Sequence, residues 1–199
     1  MYISKIVIIN PYLYRKELND GNNMHGLIMS LFEDISYYSA TPRSDLKILW
    51  RLEQPSNSYP YLIVQHEKEI TKTDNSSLKI ETKTLHKLWN QLLRENEHIS
   101  LQTLIRPTKK SSGKEVTLRT ELEIKEHLLK HFKKHGLNID PNQIVIELSA
   151  VKIKSRKILA VNVKTRGYIF DVESFRKLLI NGLGHSKNYG FGLIQIGKY

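Results

Sequence analysis

The sequence predicts an α+β fold made of two consecutive modules, each with the element order βαββαβ. Two features predict it: segments with a helical spacing of apolar residues alternate with β-branched runs, and these segments follow the same order in both halves of the chain. The composition agrees, because 199 residues with 40% hydrophobic and 26% charged side chains suit one ordinary globular domain or two small ones.

The first half opens with a β-branched strand that is followed by a helical pattern. In the segment MHGLIMSLF, apolar residues at Met24, Leu27, Ile28 and Leu31 recur with the spacing of one helical face. Leucines and Trp89 form a second such face in TLHKLWNQLL. The predicted elements of this half are strand 2–9, helix 24–32, strands 45–52 and 61–65, helix 84–93 and strand 99–105.

The second half carries signals for where its helices begin and end. Thr120 and Glu123 have the spacing of a capping box, and Gly136 stands where the glycine that follows a helix belongs. Asp171 is placed to cap another helix, which Gly182 ends. The predicted elements are strand 115–119, the helix between Thr120 and Gly136, strands 144–153 and 158–164, helix 172–181 and strand 191–196.

This element order is that of two tandem ferredoxin-like (RRM-like) modules, which meet near 106–113. For function we divide the chain into an N-terminal domain, 1–98, with a candidate histidine, and a C-terminal domain, 99–199, with a basic hairpin and a glycine-rich loop. The strand at 99–105 lies between these two boundaries. Pairs of such modules can present sheets, loops and a central cleft to RNA, but the fold alone does not fix the function.

A short segment of the second module partly matches the aromatic motif of RRM proteins. It reads Arg166-Gly167-Tyr168, followed by Phe170, on the predicted third strand of that module. The match is incomplete, so we interpret Tyr168 and Phe170 as strand residues and expect at least one of them in the core.

Several classes of protein are excluded by what the sequence lacks. It has no cysteine, which excludes disulfides, thiolate zinc sites and a cysteine nucleophile. No apolar run approaches the roughly 18 residues of a membrane span, so no membrane partner is expected. The opening MYISKIVIINPY lacks the basic and long apolar regions of a signal peptide. These features predict a cytoplasmic protein.

Positive charge is concentrated in one part of the chain. The formal net charge is +11, and residues 106–166 hold 15 basic and 6 acidic side chains, a local excess of +9. A concentrated positive field suits a polyphosphate partner, whose binding releases counterions. On charge alone, a nucleic-acid partner and a solvated basic surface fit equally well.

The most specific stretch is GLGHSKNYGFGL, near the carboxyl end. Glycines allow close approach to a phosphate, and Lys187 adds a positive charge. The spacing is not that of a Walker loop, and a helix end followed by a flexible loop is the alternative interpretation. The candidate RNA-binding residues of this stretch are Gly182, Gly184, His185, Lys187, Gly190 and Gly192.

Two basic strips give further candidate RNA contacts. The first surrounds a turn before the capped helix, and the second crosses a predicted hairpin turn, where its side chains alternate along the strands. Such a ribbon can follow phosphates or enter a stem's major groove near a distorted end, and a solvated hairpin is the equal alternative. The strips contain Lys109, Lys110, Lys114 and Arg119, then Lys152, Lys154, Arg156 and Lys157.

Metal chemistry is not predicted. His127, His131 and His135 are spaced i, i+4, i+8 along one helix, and two of them have the spacing of part of a zinc site. No glutamate completes an H-E-x-x-H pattern, and lysines crowd the same segment. We therefore interpret the three histidines as an exposed polar face and expect no metal or other cofactor.

Several segments together resemble the Cas6 superfamily of CRISPR-associated endoribonucleases, and within it the CasE type of type I-E systems. NGLGHSKNYGFGLIQI is similar to the C-terminal glycine-rich signature of that family. AVNVKTRGYIFDVESFRKLLINGLG has the order of strand, glycine, strand, aspartate and helix that precedes the signature. LQTLIRPTKKSSGKEVTLRT, EIKEHLLKHFKKHGLNI, DLKILWRLE, MYISKIVI and MHGLIMSLF resemble further family segments, so the resemblance touches both ends and the middle of the chain.

The resemblance implies a function and a catalytic residue. His25 falls, with one residue of offset, on the family's H-x-x-L pattern at the start of the first helix, which implies the catalytic histidine. The implied substrate is the hairpin of a CRISPR repeat, cut at the base of the stem. The implied partners are that RNA, the mature crRNA that is retained, and other subunits of a Cascade-type complex. From the residues alone, His25 also fits a half-buried histidine at a helix start.

The chemistry needs no metal. The 2′-hydroxyl of RNA can attack the adjacent phosphate if its proton is removed and the leaving 5′-oxygen receives one. Histidine titrates near neutral pH and can carry out either proton transfer, for a gain of about 10²–10⁴-fold. Basic side chains and backbone N–H groups stabilise the charge that develops on the phosphorane.

One family feature is missing, which keeps other functions open. Asn22 stands where relatives often have a tyrosine, and Tyr12, Tyr14, Tyr37 and Tyr38 are the possible substitutes. A non-catalytic RNA-binding subunit of the same fold is therefore the alternative, and a DNA-binding regulator is a weaker third. The cleavage hypothesis requires that the amino-terminal imidazole face the glycine-rich loop.

Overall fold

A computed structural model describes residues 1–32, 42–71 and 76–198. The helices among these residues are α1 (Arg15–Leu18), α2 (Gly21–Ser30), α3 (Pro42–Asp45), α4 (Leu85–Leu92), α5 (Glu121–Lys134) and α6 (Val172–Asn181). The strands are β1 (Tyr2–Ile8), β2 (Leu49–Glu53), β3 (Tyr61–His66), β4 (Leu78–Thr84), β5 (His98–Ile105), β6 (Thr108–Ser111), β7 (Lys114–Thr117), β8 (Leu137–Ile139), β9 (Val145–Ile153), β10 (Arg156–Ile169) and β11 (Ile194–Lys198).

Two antiparallel sheets form the two ferredoxin-like modules that the element order predicts. The first sheet has the strand order β2-β3-β1-β4, and the second has the order β11-β5-β10-β8, with β9 also paired to β10. In both sheets the first and third strands of the module are central and the second and fourth are at the edges. A separate hairpin of β6 and β7 follows β5. The predicted fold class is confirmed.

The division of strands between the modules differs from the element assignment made on the sequence. The fourth strand of the first sheet is β4, which was not predicted, and the predicted helix 84–93 follows it as α4. The predicted order βαββαβ is therefore wrong for the first module, because its second helix comes after the fourth strand and not before it. The predicted strand 99–105 is β5, and it pairs with β10 and β11 in the second sheet. The reason is that β4 lies at a sheet edge and its apolar alternation is short: Leu78 is buried and Ile80 half-buried, and the four residues that follow are polar and exposed.

Other boundaries move by a few residues. The predicted strand 45–52 begins later, at Leu49, because residues 42–45 form α3. The last strand is 194–198 rather than 191–196. The capping box of Thr120 and Glu123 is present at the start of α5, and Asp171 accepts a hydrogen bond from the backbone N–H of Ser174 at the start of α6. Both helix starts are therefore confirmed.

Two hydrophobic clusters stabilise the fold, one packed against each sheet. One lies between the first sheet and α2 and includes Trp50, which is 2% exposed. The other lies under the second sheet, against α4, α5 and α6, and includes Trp89, which is 5% exposed. Each cluster thus contains one of the chain's two tryptophans.

The expectation for the two aromatic residues of β10 was wrong. Tyr168 and the adjoining Phe170 are 36% and 41% exposed, so neither lies in the core. Strand alternation is the reason, because Ile169 between them takes the inward position and is fully buried. Across residues 1–32, 42–71 and 76–198, no helix has the length and apolar character needed to span a membrane.

Candidate active site and basic surface

The helix that carries His25 begins one turn earlier than its apolar pattern indicates. Asp20 is the N-cap, and its carboxylate accepts a hydrogen bond from the backbone N–H of Asn22 at 2.8 Å. This satisfies one of the free N–H groups at the helix start. His25 therefore lies in the second turn of α2 rather than at its start, and Asn22 lies in the first turn.

His25 is half-buried and has an unusual environment for an imidazole. Its Nδ1 atom is shielded from solvent and has no hydrogen-bond partner among the described residues. Burial lowers the pKa of His25, and the positive charge of Arg43 lowers it further. Both effects oppose the charged form, so the imidazole is neutral at neutral pH and can accept a proton.

Arg43 is the residue of the site that the sequence did not reveal. It lies on α3, just before β2, and its Nη1 donates a hydrogen bond to the carbonyl oxygen of Ile48 at 2.9 Å. The backbone N–H of Ile48 in turn donates to the carbonyl of Arg43 at 2.9 Å. No local sequence pattern marks this position, because its role depends on packing against distant segments.

The charge of Arg43 also acts on Lys187, in the glycine-rich loop. Burial lowers the pKa of the Lys187 ammonium, and Arg43 lowers it further. The two side chains line a common surface groove of about 310 Å³ together with Gly184, His185 and Ser186. One arginine thus lies close to both the helix histidine and the loop lysine, which are far apart in sequence.

Helix α2 packs directly against the loop. A Cβ atom added to Gly21 would lie 3.4 Å from the Cβ and the carbonyl oxygen of Tyr189. Tyr189 belongs to a short 3₁₀ turn, Lys187–Tyr189, inside the glycine-rich segment. The structure therefore brings the helix of His25 and the loop together.

Three of the four loop glycines have a packing role that differs from the predicted one. Gly182, Gly190 and Gly192 are buried at positive φ. A Cβ on Gly182 would lie 2.8 Å from a methyl of Leu49, and one on Gly190 would lie 2.8 Å from the Trp50 ring. One on Gly192 would lie 2.4 Å from a carbonyl oxygen of the same loop. These glycines let the loop fold against β2.

Gly184 is the exception among them. It is exposed with φ +73°, and nothing lies within 4 Å of the Cβ position. The neighbouring His185 is also exposed. Close approach of a phosphate to backbone is therefore compatible with Gly184, whereas at the other three glycines the close neighbour is protein.

The first basic strip shares a surface with the loop. Lys109 and Lys110 are exposed on β6, and Lys114 is exposed at the start of β7. Burial lowers the pKa of His127 on α5, and the charges of Lys109 and then His185 lower it further. The hairpin, the middle of α5 and the loop are thus close enough to interact electrostatically. Arg119 is exposed, and its backbone N–H donates to Glu123 at 3.1 Å.

The second basic strip lies at the turn between β9 and β10, as predicted. Lys152 and Lys157 are directly opposite one another, and Lys154 and Arg156 lie at the turn between them. All four are exposed. The carbonyl oxygen of Lys152 would lie 3.6 Å from a Cβ on Gly21, so this turn also reaches the start of α2.

The histidines of α5 do not form the exposed face that was predicted. His127, His131 and His135 are half-buried, and the rings of the last two stack with their centroids 4.8 Å apart. The helix faces its own module there, so burial is greater than the charged sequence indicates. Within residues 1–32, 42–71 and 76–198, no three histidine, aspartate or glutamate side chains are grouped so that they could hold a metal ion.

The tyrosines that were considered as substitutes have different positions. Tyr12 is 90% exposed, and Tyr14 packs partly buried against the first core. Tyr37 and Tyr38 lie outside the described residues.

Comparison with known proteins supports the resemblance seen in the sequence. The family model described as "CRISPR associated protein" matches residues 1–198. No curated protein sequence matches. The chain belongs to the CRISPR-associated protein family.

Solved structures have the same fold. Cse3 from Thermus thermophilus, bound to an RNA that represents a pre-cleavage complex, has a TM-score of 0.82 at 21% identity, over 98% of both chains. Cas6e from Escherichia coli K-12 has a TM-score of 0.74 at 18% identity, over the whole of both chains. A chain of a CRISPR RNA-guided surveillance complex in a pre-nicking state has a TM-score of 0.69 at 22% identity, over the whole of both chains.

Proposed function

We propose that this chain is a metal-independent endoribonuclease that cuts CRISPR precursor RNA at the base of the repeat hairpin and retains the product within a Cascade-type complex. The observation that carries the proposal is that α2, the helix of His25, packs against the glycine-rich loop, where Arg43 and Lys187 line one groove and Arg43 acts electrostatically on His25. Membership of the CRISPR-associated family and the likeness to an RNA-bound Cse3 support RNA as the substrate. The likeness to a surveillance-complex chain supports the assembly.

The reaction follows from the charges at the site. Neutral His25 removes the proton of the 2′-hydroxyl, and the 2′-oxygen forms a new bond to phosphorus. The bond from phosphorus to the 5′-oxygen breaks, that oxygen takes up a proton from water, and protonated His25 returns its proton to water. The products are a 2′,3′-cyclic phosphate and a 5′-hydroxyl. Arg43 and Lys187 stabilise the negative charge that develops on the phosphorane.

The surrounding surface supplies affinity for the rest of the hairpin. On the protein, exposed lysines and arginines of the β6–β7 and β9–β10 hairpins and of the glycine-rich loop contact RNA phosphates. These contacts position the RNA and make its binding dependent on salt. In this proposal the N-terminal domain is 1–98 and the C-terminal domain is 99–199, and the reaction takes place in the cytoplasm. The proposed contacts are Lys109, Lys110, Arg119, Lys152, Lys154, Arg156, Lys157, Gly184, His185 and Lys187.

Cleavage of a labelled repeat hairpin in EDTA tests the proposal. The variant His25→Ala should lose about 10²–10⁴-fold in rate and keep its affinity for the hairpin, because one proton-transfer group is removed. His86→Ala is the matched control, since His86 is exposed on α4 and bonds only within that helix, to Asn90 at 3.1 Å. A 2′-deoxy substitution at the scissile nucleotide should abolish cleavage by the wild type.

Either of two results would overturn the proposal that the chain is an endoribonuclease acting through His25. One is equal cleavage by wild type and His25→Ala, and the other is continued cleavage of the 2′-deoxy substrate. Binding without cleavage by the wild type would favour the second candidate, a non-catalytic RNA-binding subunit. That candidate is supported by Asn22, which stands where relatives often have a tyrosine. In this chain the backbone N–H of Asn22 donates to the helix cap, Asp20.

A further inference from the structure

The outer face of the second sheet carries side chains that take no part in the proposed cleavage. Its central strands are β5 and β10, and their register places Tyr168 opposite His98 and Arg166 opposite Ser100. Residues two apart along a strand lie on the same face, so these side chains share the face away from the buried Ile169. His98, Arg166 and Tyr168 are all exposed.

Two large aromatic side chains stand out on this surface, since protein interiors usually take such groups. Tyr168 is 36% exposed, and Phe170, at the end of the strand, is 41% exposed. The ring of His98 lies 5.9 Å from that of Tyr168, with 44° between their planes. The Tyr168 hydroxyl accepts a hydrogen bond from Asn138 at 2.9 Å, which fixes the direction of the ring. The tyrosine ring is therefore held in place while about a third of its residue surface stays exposed.

The spacing of these residues is similar to that of the base-stacking residues in RNA-binding RRM modules. Arg166 and Tyr168 lie two residues apart on β10, the third strand of an RRM-like module, and Phe170 follows at i+4, one residue past the end of that strand. The corresponding strand of RNA-binding RRM modules carries a basic residue, a glycine and aromatic residues that stack two or three bases. Gly167 is required here, because a Cβ would lie 2.2 Å from the carbonyl oxygen of Asn138 on β8.

A groove of mixed polar and apolar lining continues along the face from Arg166, next to Tyr168. It measures about 590 Å³, and Ser100, Gln102, Lys164, Arg166 and Gln195 line it. Amide side chains can donate to and accept from base edges, and cations can contact phosphates. The five residues from Lys164 to Tyr168 span about 13 Å of strand, four steps of about 3.3 Å, which is enough for about two stacked nucleotides.

We propose that this face is a second RNA-binding site, for two or three unpaired nucleotides. Bases stack on Tyr168 and Phe170, and the sugar-phosphate backbone runs past Arg166. Aromatic faces next to a basic side chain, on a chain of net charge +11, favour single-stranded RNA over an apolar peptide. The proposal needs RNA to be a ligand of the chain, but it does not need His25 to cleave it.

Binding of a short unstructured RNA tests the site. The probe is a fluorescein-labelled octaribonucleotide without self-complementarity, followed by anisotropy at one fixed salt concentration. Tyr168→Ala and Phe170→Ala should each raise the Kd about tenfold, because a base stack is lost. Tyr168→Phe should bind like the wild type, since it keeps the ring. Tyr59→Ala should also bind like the wild type, since Tyr59 is 54% exposed in a loop outside this face.

The failures of the two proposals are distinguishable. His25→Ala should bind the octaribonucleotide like the wild type, and Tyr168→Ala should cleave a hairpin without unpaired flanks at the wild-type rate. A wild-type Kd in both alanine variants, with unchanged melting temperatures, would overturn the second site. The second site is also overturned if these variants lose only the binding of a protein subunit, or if Tyr168→Phe is as weak as Tyr168→Ala.

Discussion

Replacing Gly190 by alanine measures how strongly the glycine-rich loop depends on packing against the first module. Gly190 has φ +87°, a conformation that costs an L-residue about 1–2 kcal/mol. The new Cβ would lie 2.8 Å from Cζ3 of the buried Trp50 ring, and overpacking of this kind costs about 1–3 kcal/mol. The free energy of unfolding of Gly190→Ala should therefore fall by about 2–5 kcal/mol.

Gly184→Ala is the matched control in the same loop. Its φ is +73°, but nothing lies within 4 Å of the added Cβ, so only the backbone cost applies. The two variants should thus differ by about 1–3 kcal/mol, the packing cost at Gly190. In a chain of this length that corresponds to a difference of about 2–12 °C in melting temperature.

Thermal unfolding followed by circular dichroism compares the two variants directly. Equal melting temperatures, or a lower one for Gly184→Ala, would refute the packing argument. Hairpin binding by Gly184→Ala adds a second readout, because this glycine alone among the four has open space at its Cβ position. A weaker affinity for the hairpin is expected there, measured at a temperature at which Gly184→Ala remains folded.

Two predictions concern protonation. Arg43→Gln should move the acid limb of the pH profile of kcat/KM to higher pH, because the Arg43 charge lowers the pKa of His25. Lys47→Gln is the control, and an unmoved acid limb in Arg43→Gln would contradict the role of His25 as the base. Burial and the charge of His135 help to lower the pKa of His131 to about 4. As the pH falls below the ordinary value of 6.5, the unfolded chain therefore protonates His131 before the folded chain does, and the folded chain loses stability. Urea unfolding between pH 7 and 5 should show a smaller loss of stability for His131→Gln than for wild type, and equal losses would disprove the prediction.

Much of the fold could be predicted because its signals are local. A capping box needs only Thr120 and Glu123, and the buried stripe of α5 recurs at Ile124, Leu128 and Phe132. The missed strand β4 has only two apolar residues, the buried Leu78 and the half-buried Ile80, and its remaining side chains are polar and exposed, so its alternation is too short to mark a strand. Its place in the sheet comes from pairing with β1, about 75 residues earlier, which no short window of sequence contains.

The candidate site likewise contains residues that the sequence could identify and residues that it could not. His25 and Lys187 fall on family patterns and were identified by them. Arg43 was missed, because its position depends on a hydrogen bond to Ile48 and on the packing of α3 beside the loop. The glycines were recognised as unusual, but their packing was not foreseen, because the neighbour of a Cβ on Gly190 is the Trp50 ring of a distant strand.

The placement of one tryptophan in each core gives the molecule a built-in pair of optical reporters. Trp50 lies in the cluster of the first sheet and Trp89 in that of the second, and both are nearly inaccessible to water. With Trp89→Phe, fluorescence follows the loss of the first cluster alone, and with Trp50→Phe it follows the second. The two signals show whether the halves melt in one cooperative step, without any dye attached to the surface that binds the transcript.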